Sequence, residues 1–189
     1  GIDLEEVALV DGHLAQQFAP AVFLHHLSHF FPGGSIVADD DGGAFIAVQN
    51  IPALGLAQGA LEEGVRHANT RVQFGKPVSS NQGLQWYIAD MAPRVECEAA
   101  RLLTMQAAIK RQNGEPVTKY ASMAKYYASE AAGYVCDLAL QLHGGYGYIK
   151  DYPIERMYRD ARIIRIYEGS SEIQKIVISR EVIKEYPAE

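Results

Sequence analysis

The chain has 189 residues, 48% of them hydrophobic and 21% charged, with a formal net charge of −6. That balance supplies apolar surface for one full core and excludes the basic face that a nucleic-acid binder presents. The two cysteines, Cys97 and Cys136, each fall inside a helical pattern, so they read as reduced core residues and not as a disulfide framework. Gly1 leads straight into Asp3, Glu5 and Glu6, which is not a secretory signal, and the apolar stretch Ala19 to Phe31 is too short to span a bilayer. The expectation is a soluble intracellular protein.

Residues 1–42 form a poorly patterned leader. It closes on Pro32-Gly33-Gly34 and on Asp39-Asp40-Asp41-Gly42-Gly43, two turn signals that mark a linker. A helical pattern over Leu4 to Leu24 is interrupted by Pro20. His25, His26 and His29 have helical metal-pair spacing, but no carboxylate accompanies them and a zinc site needs three or four ligands. They read as a polar patch, and no metal is expected.

From Ala44 onward long helices dominate. The first is expected over 44–72, with Leu54, Leu56, Ala60, Leu61 and Val65 on one face. The second, over 80–112, carries Leu84, Ile88, Met91, Val95, Leu102, Met105 and Ile109 at helical spacing; Glu98 interrupts that stripe and Gly114 follows as a stop. The third, over 117–143, places Ala124, Ala128, Ala131, Val135, Leu138 and Leu142 on one seam and ends at Gly144-Gly145. A short helix over 153–165 follows Pro153, and a last one opens at Ser171, where Gln174 completes a capping-box pattern, and runs to about 185. Pro52 and Pro93 should kink their helices or move the boundaries. These elements predict an all-α, up-and-down four-helix bundle over 43–189 with residues 1–42 as an N-terminal extension.

Three segments hold residues that packing alone does not require. Arg71-Val72-Gln73-Phe74-Gly75-Lys76-Pro77 sets a guanidinium, an aromatic ring and a glycine in one turn; Arg grips a pyrophosphate bidentately, and a ring lies against a heterocycle. The alternative is a helix end whose basic residues complement the dipole. In Gln141-Leu142-His143-Gly144-Gly145-Tyr146-Gly147 the glycines let a backbone approach a ligand, although helix termination also asks for glycine. In Arg165-Ile166-Tyr167-Glu168-Gly169-Ser170-Ser171 a carboxylate sits among apolar and aromatic residues just before a helix start. Desolvation would raise its pKa toward that of a general base, the helix N-terminus would lower it, and a capping role is the alternative.

In this order, ALGLAQGALEEGVRHANTRVQFGKPV and QLHGGYGYIKDYPIERMYRDARIIRIYEGSSEIQKIVISRE resemble the C-terminal domain of the acyl-CoA dehydrogenase family over roughly 44–187. The resemblance implies FAD-dependent oxidation of an acyl-CoA to a trans-2-enoyl-CoA, as in fatty-acid β-oxidation. It assigns Arg71 to the FAD pyrophosphate and Phe74 to the flavin dinucleotide. Gln141, Gly144 and Gly145 would approach the FAD of a neighbouring subunit, Ser170 and Gln174 would also touch FAD, and Tyr167 and Gly169 would face substrate. Glu168 takes the position of the base that removes a proton from carbon 2, and its backbone N–H is one donor to the thioester oxygen. The isovaleryl and long-chain branch keeps its base on the first helix, near Phe45 and Ile46 here. Neither is a base, which points to the short- or medium-chain type and a straight-chain or short-branched substrate.

The resemblance further implies a homo-oligomer, an electron-transferring flavoprotein as partner, and a cytoplasmic location, or the mitochondrial matrix in a eukaryote. The family's N-terminal helical and middle β-domains exceed what residues 1–42 can supply. The expectation is therefore a piece or short form completed by a partner, holding FAD weakly when isolated. The alternative is a non-catalytic helical module that keeps the bundle for oligomerisation.

Overall fold

The computed structural model describes residues 43–96, 98–167 and 169–187, with side chains from Ala53 onward except at Glu96 and Glu98. The chain forms α1 (Gly43–Thr70), a hairpin of β1 (Val72–Gln73) and β2 (Lys76–Pro77), and a 3-10 turn Val78–Ser80. Then come α2 (Gln82–Glu96), α3 (Glu98–Gln112), α4 (Thr118–His143), a second 3-10 turn Gly144–Tyr148, α5 (Ile154–Ile164) and α6 (Ser171–Glu185). Helix α4 is the hub; it packs most extensively on α1 and also against α2, α3, α5 and α6.

The seam between α1 and α4 is built from small residues. Ala53, Leu56, Ala57 and Ala60 of α1 meet Ala128, Ala132, Val135, Cys136, Ala139 and Leu142 of α4. Short side chains let the two axes come close, and Gly64 marks the tightest point. A Cβ there would stand 3.2 Å from the Ala139 Cβ and 3.3 Å from the Leu142 Cδ1. Helix α5 contributes Ile154, Met157, Ala161 and Ile164, one face of an amphipathic helix, to the same core. Burying a side chain such as Ile154 stabilises by roughly 1.5–3 kcal/mol relative to exposure. Cys136 is a free, buried thiol, and burial pushes its pKa up to about 12, so it is a core residue as expected. Cys97 lies outside the described residues.

The helices form where periodicity placed them, with corrections at their edges. Pro52 and Pro93 lie within α1 and α2 and shift no boundary. Helix α1 ends at Thr70 instead of 72, because Val72 and Gln73 pair with Pro77 and Lys76. The second helix begins at Gln82 because Val78–Ser80 first make a 3-10 turn, and its two parts flank Cys97. Leu102 and Ile109, expected in the core stripe, are 55% and 43% exposed; the packed face of α3 is Ala100, Thr104 and Ala107. The small residues win that face because the neighbouring helices approach closely. Ala131 and Leu138 are half-buried, while Ala132 and Ala139 hold the core positions.

The expected capping box at Ser171 and Gln174 does not form. Ser170 is the N-cap of α6 and makes no side-chain capping bond. Ser171 instead donates its hydroxyl to Glu130 Oε1 at 2.7 Å, and Gln174 Nε2 donates to the Gly169 carbonyl at 3.2 Å. Ser171 is drawn to a tertiary acceptor on α4, and Gln174 to a carbonyl of the turn that precedes its own helix. Among the described residues no helix is long and apolar enough to cross a membrane, and no three His, Cys, Asp or Glu side chains cluster as for a metal. His25, His26 and His29 lie outside the described residues.

Candidate functional site

The sequence-predicted site residues divide into two groups, one at the C-terminal end of α4 and one against its N-terminal half. The first is organised by the hairpin after α1. Phe74 and Gly75 are its two central residues, and both have positive φ, 52° and 78°. Two consecutive positive φ values are the type I′ signature that suits a right-twisted hairpin. Asn or Asp normally precedes the glycine there, so a phenylalanine at φ 52° is strained. The ring gains no packing in return, since Phe74 is 98% exposed. The turn presents an aromatic face outward.

Arg71 is fixed by its backbone: its N–H donates to the His67 carbonyl and its own carbonyl accepts from Val78 N–H, each at 2.8 Å. Its guanidinium lies 4.7 Å from the Tyr146 ring centroid, which joins the hairpin to the turn after α4. Beneath them His67 and His143 stack with centroids 4.0 Å apart, and Tyr152 meets both edge-on. His143 Nδ1 donates to the Ala139 carbonyl at 2.8 Å, and its Nε2 lies 3.8 Å from Glu63 Oε1. The His67 pKa is lowered by burial first, then by His143 and Arg71, against Glu63, so this ring is neutral near pH 7. Sequence reasoning passed over His67, His143 and Tyr152; for the two histidines the signal was a polar ring at a position where the helix seam expects an apolar residue.

Gln141 is exposed in the last turn of α4, and its carbonyl accepts from Gly144 N–H. Gly144 and Gly145 are exposed, with open space where a Cβ would stand. A fixed guanidinium, open glycine backbone and an outward aromatic ring are the donors and surfaces that a dinucleotide pyrophosphate and a planar heterocycle need. The group fits FAD.

The second group is the segment between α5 and α6. Glu168 lies outside the described residues, but its neighbours define the turn. Tyr167 is 37% exposed, and Ser170 and Gly169 are half-buried. Gly169 has φ 88°, and a Cβ on it would come 2.6 Å from Gln174 Nε2, so the position requires glycine. Ser171 N–H donates to the Arg165 carbonyl at 3.1 Å, closing the loop that carries Glu168. Gln174 is buried, at 3% exposure, inside this turn. The Glu172 carboxylate is held below the usual range by its own backbone N–H and then by the Ser170 hydroxyl, as expected at a helix N-terminus. A surface groove of about 650 Å³, lined by Tyr126, Tyr134, Arg94 and the Glu130–Arg165 pair, runs beside it. Lys125, in the N-terminal half of α4, and Gln141 are sixteen residues apart, roughly 24 Å along the helix.

A sequence profile described as the acyl-CoA dehydrogenase C-terminal domain matches residues 47–183. The acryloyl-CoA reductase (NADH) of Anaerotignum propionicum is 53% identical over 152 residues, covering 80% of this chain and 38% of that relative. The caffeyl-CoA reductase-Etf complex subunit CarC of Acetobacterium woodii is 50% identical over 145 residues, 77% of this chain and 37% of that one. The solved butyryl-CoA dehydrogenase of Megasphaera elsdenii superposes with a TM-score of 0.70 at 41% identity, covering 75% of this chain and 36% of that one. The chain therefore spans less than two-fifths of the length of these relatives.

Proposed function

The chain belongs to the acyl-CoA dehydrogenase family of FAD-dependent oxidoreductases, and on that premise we propose that it is the flavin-binding helical part of an enzyme that oxidises an acyl-CoA to its trans-2-enoyl-CoA. Glu168 takes the proton from carbon 2 of the thioester. Arg71 holds the FAD pyrophosphate, Phe74 lies against the dinucleotide, and Gln141, Gly144 and Gly145 line the same cofactor. Bound FAD supplies the acceptor for the hydride that leaves carbon 3. Ser170 and Gln174 contact FAD, and Tyr167 and Gly169 face the acyl thioester.

The observation that carries this reading is the contact of Arg71 with Tyr146, which unites two sequence-distant cofactor segments at one end of α4. The segment around Glu168 packs instead on Lys125 and Glu130, in the N-terminal half of α4, which supports assigning the two groups to different FAD molecules of a homo-oligomer. Exposed Leu102, Ile109, Ile173, Ile176 and Ile183 offer apolar surface for that assembly. The Etf complex named for the Acetobacterium relative supports an electron-transferring flavoprotein as redox partner.

A second reading runs the same site in reverse. Two relatives at 53% and 50% identity are named reductases, which favours reduction of a 2-enoyl-CoA. By microscopic reversibility Glu168 then delivers its proton to carbon 2. The test is anaerobic absorbance of the FAD-loaded native assembly. Oxidation predicts loss of the yellow flavin band on adding butyryl-CoA, and reduction predicts its return when the dithionite-reduced protein meets crotonyl-CoA. A protein silent in both directions would leave the non-catalytic helical module as the explanation.

A further inference from the structure

Helix α4 carries a lysine in its buried seam. Lys125 is 1% exposed, set between Ala121, Ala124, Ala128 and Ser129, which are buried too. Its Nζ reaches the Gly169 carbonyl at 2.8 Å, across forty-four residues of sequence. The same carbonyl accepts from Gln174 Nε2. One turn further along α4, Glu130 takes hold of both ends of the same segment. Arg165 donates Nε to Glu130 Oε1 and lies with its NH2 2.9 Å from Oε2, a bidentate pair, while Ser171 Oγ donates to Oε1 at 2.7 Å. The backbone bond from Ser171 N–H to the Arg165 carbonyl closes the loop. So Glu130 holds Arg165 and Ser171, which flank the segment that carries Glu168, and Lys125 holds the carbonyl of Gly169.

Packing does not ask for these groups. A buried ammonium in an alanine seam is costly, and an unbranched apolar side chain would fill the same space. What a lysine adds is a donor that reaches the Gly169 carbonyl, and that carbonyl belongs to the residue after Glu168. We infer that Lys125 and Glu130 are positioning residues for Glu168, holding its turn so that the carboxylate meets carbon 2 of the acyl thioester; the inference rests on the proposed role of Glu168 as base. Their effect is on the rate of proton removal and not on thioester affinity, because a displacement of about 1 Å in a reacting group costs on the order of 100-fold in rate.

The test uses the FAD-loaded native assembly and rapid anaerobic mixing with butyryl-CoA. It reads the limiting rate of flavin bleaching separately from the half-saturating thioester concentration. Lys125→Met should lower the limiting rate by on the order of 100-fold, with the half-saturating concentration and FAD content unchanged. Ser171→Ala deletes one donor to Glu130 with little steric burden, so it should show the same split at roughly 10-fold; it carries the test if Lys125→Met does not fold. An active wild type whose two variants keep the full limiting rate, or lose rate and affinity in parallel, overturns the inference alone. A wild type that bleaches with no acyl-CoA overturns the reading of Glu168 as base, and this inference with it.

Discussion

In Phe74→Asn, the residue that the hairpin tolerates with strain gives way to one that the type I′ turn favours. Phe74 has φ 52° and is 98% exposed, so its removal forfeits almost no buried area. An ordinary L-residue in the left-handed region costs roughly 1–2 kcal/mol, and asparagine before glycine avoids much of that. The variant should be more stable by about 1 kcal/mol, a rise in Tm of about 4 °C for a domain of this size. Thermal unfolding followed by circular dichroism without FAD measures it. The same change removes a ring assigned to the dinucleotide, worth about 0.5–1.5 kcal/mol, so flavin fluorescence titration should show FAD bound up to about 10-fold more weakly. A fall in Tm would mean that the ring is structural. A raised Tm with undiminished FAD affinity would refute its assignment to the cofactor.

Gly64→Val should destabilise by about 1–3 kcal/mol in urea titration, because its Cβ would press on Ala139 and Leu142; an unchanged midpoint would mean that the α1–α4 seam is looser than described. Ile154→Ala should cost about 2–5 kcal/mol by emptying a fully buried site on α5, read in the same titration. The lowered pKa of His67 means that the unfolded chain binds its proton first as pH falls below the unperturbed 6.5. The stability from neutral His67 is therefore full above that pH and is lost as pH falls toward the folded value, and His67→Phe should flatten the slope of Tm between pH 7 and pH 5. A slope equal to wild type in that window would assign the effect elsewhere.

The residues proposed for the chemistry are local in sequence. Arg71, Phe74, Gly144, Gly145 and Glu168 stand in short linear segments, and helix periodicity alone located every long element. What stayed hidden depends on partners distant in sequence. Lys125 and Glu130 look like ordinary solvated helix charges until α6 and its preceding turn are laid against α4. Ser171 fits a local cap, yet Glu130 on α4 claimed its hydroxyl. Leu102 and Ile109 have the right spacing for a core, but close helix approach gave that face to Ala100, Thr104 and Ala107. The hairpin was too short for strand alternation to register, and its turn lacks the usual asparagine.

Isotope exchange tests most directly the proposed removal of the carbon 2 proton by Glu168. The FAD-loaded native assembly is incubated with a carbon 2-deuterated, non-oxidisable acyl-CoA analogue in ordinary water, and loss of deuterium is followed by NMR. Wild type should wash out the label, and Glu168→Gln, equal in size and unable to take up a proton, should abolish washout while still binding the thioester. Washout that persists in Glu168→Gln at the wild-type rate would place the base elsewhere.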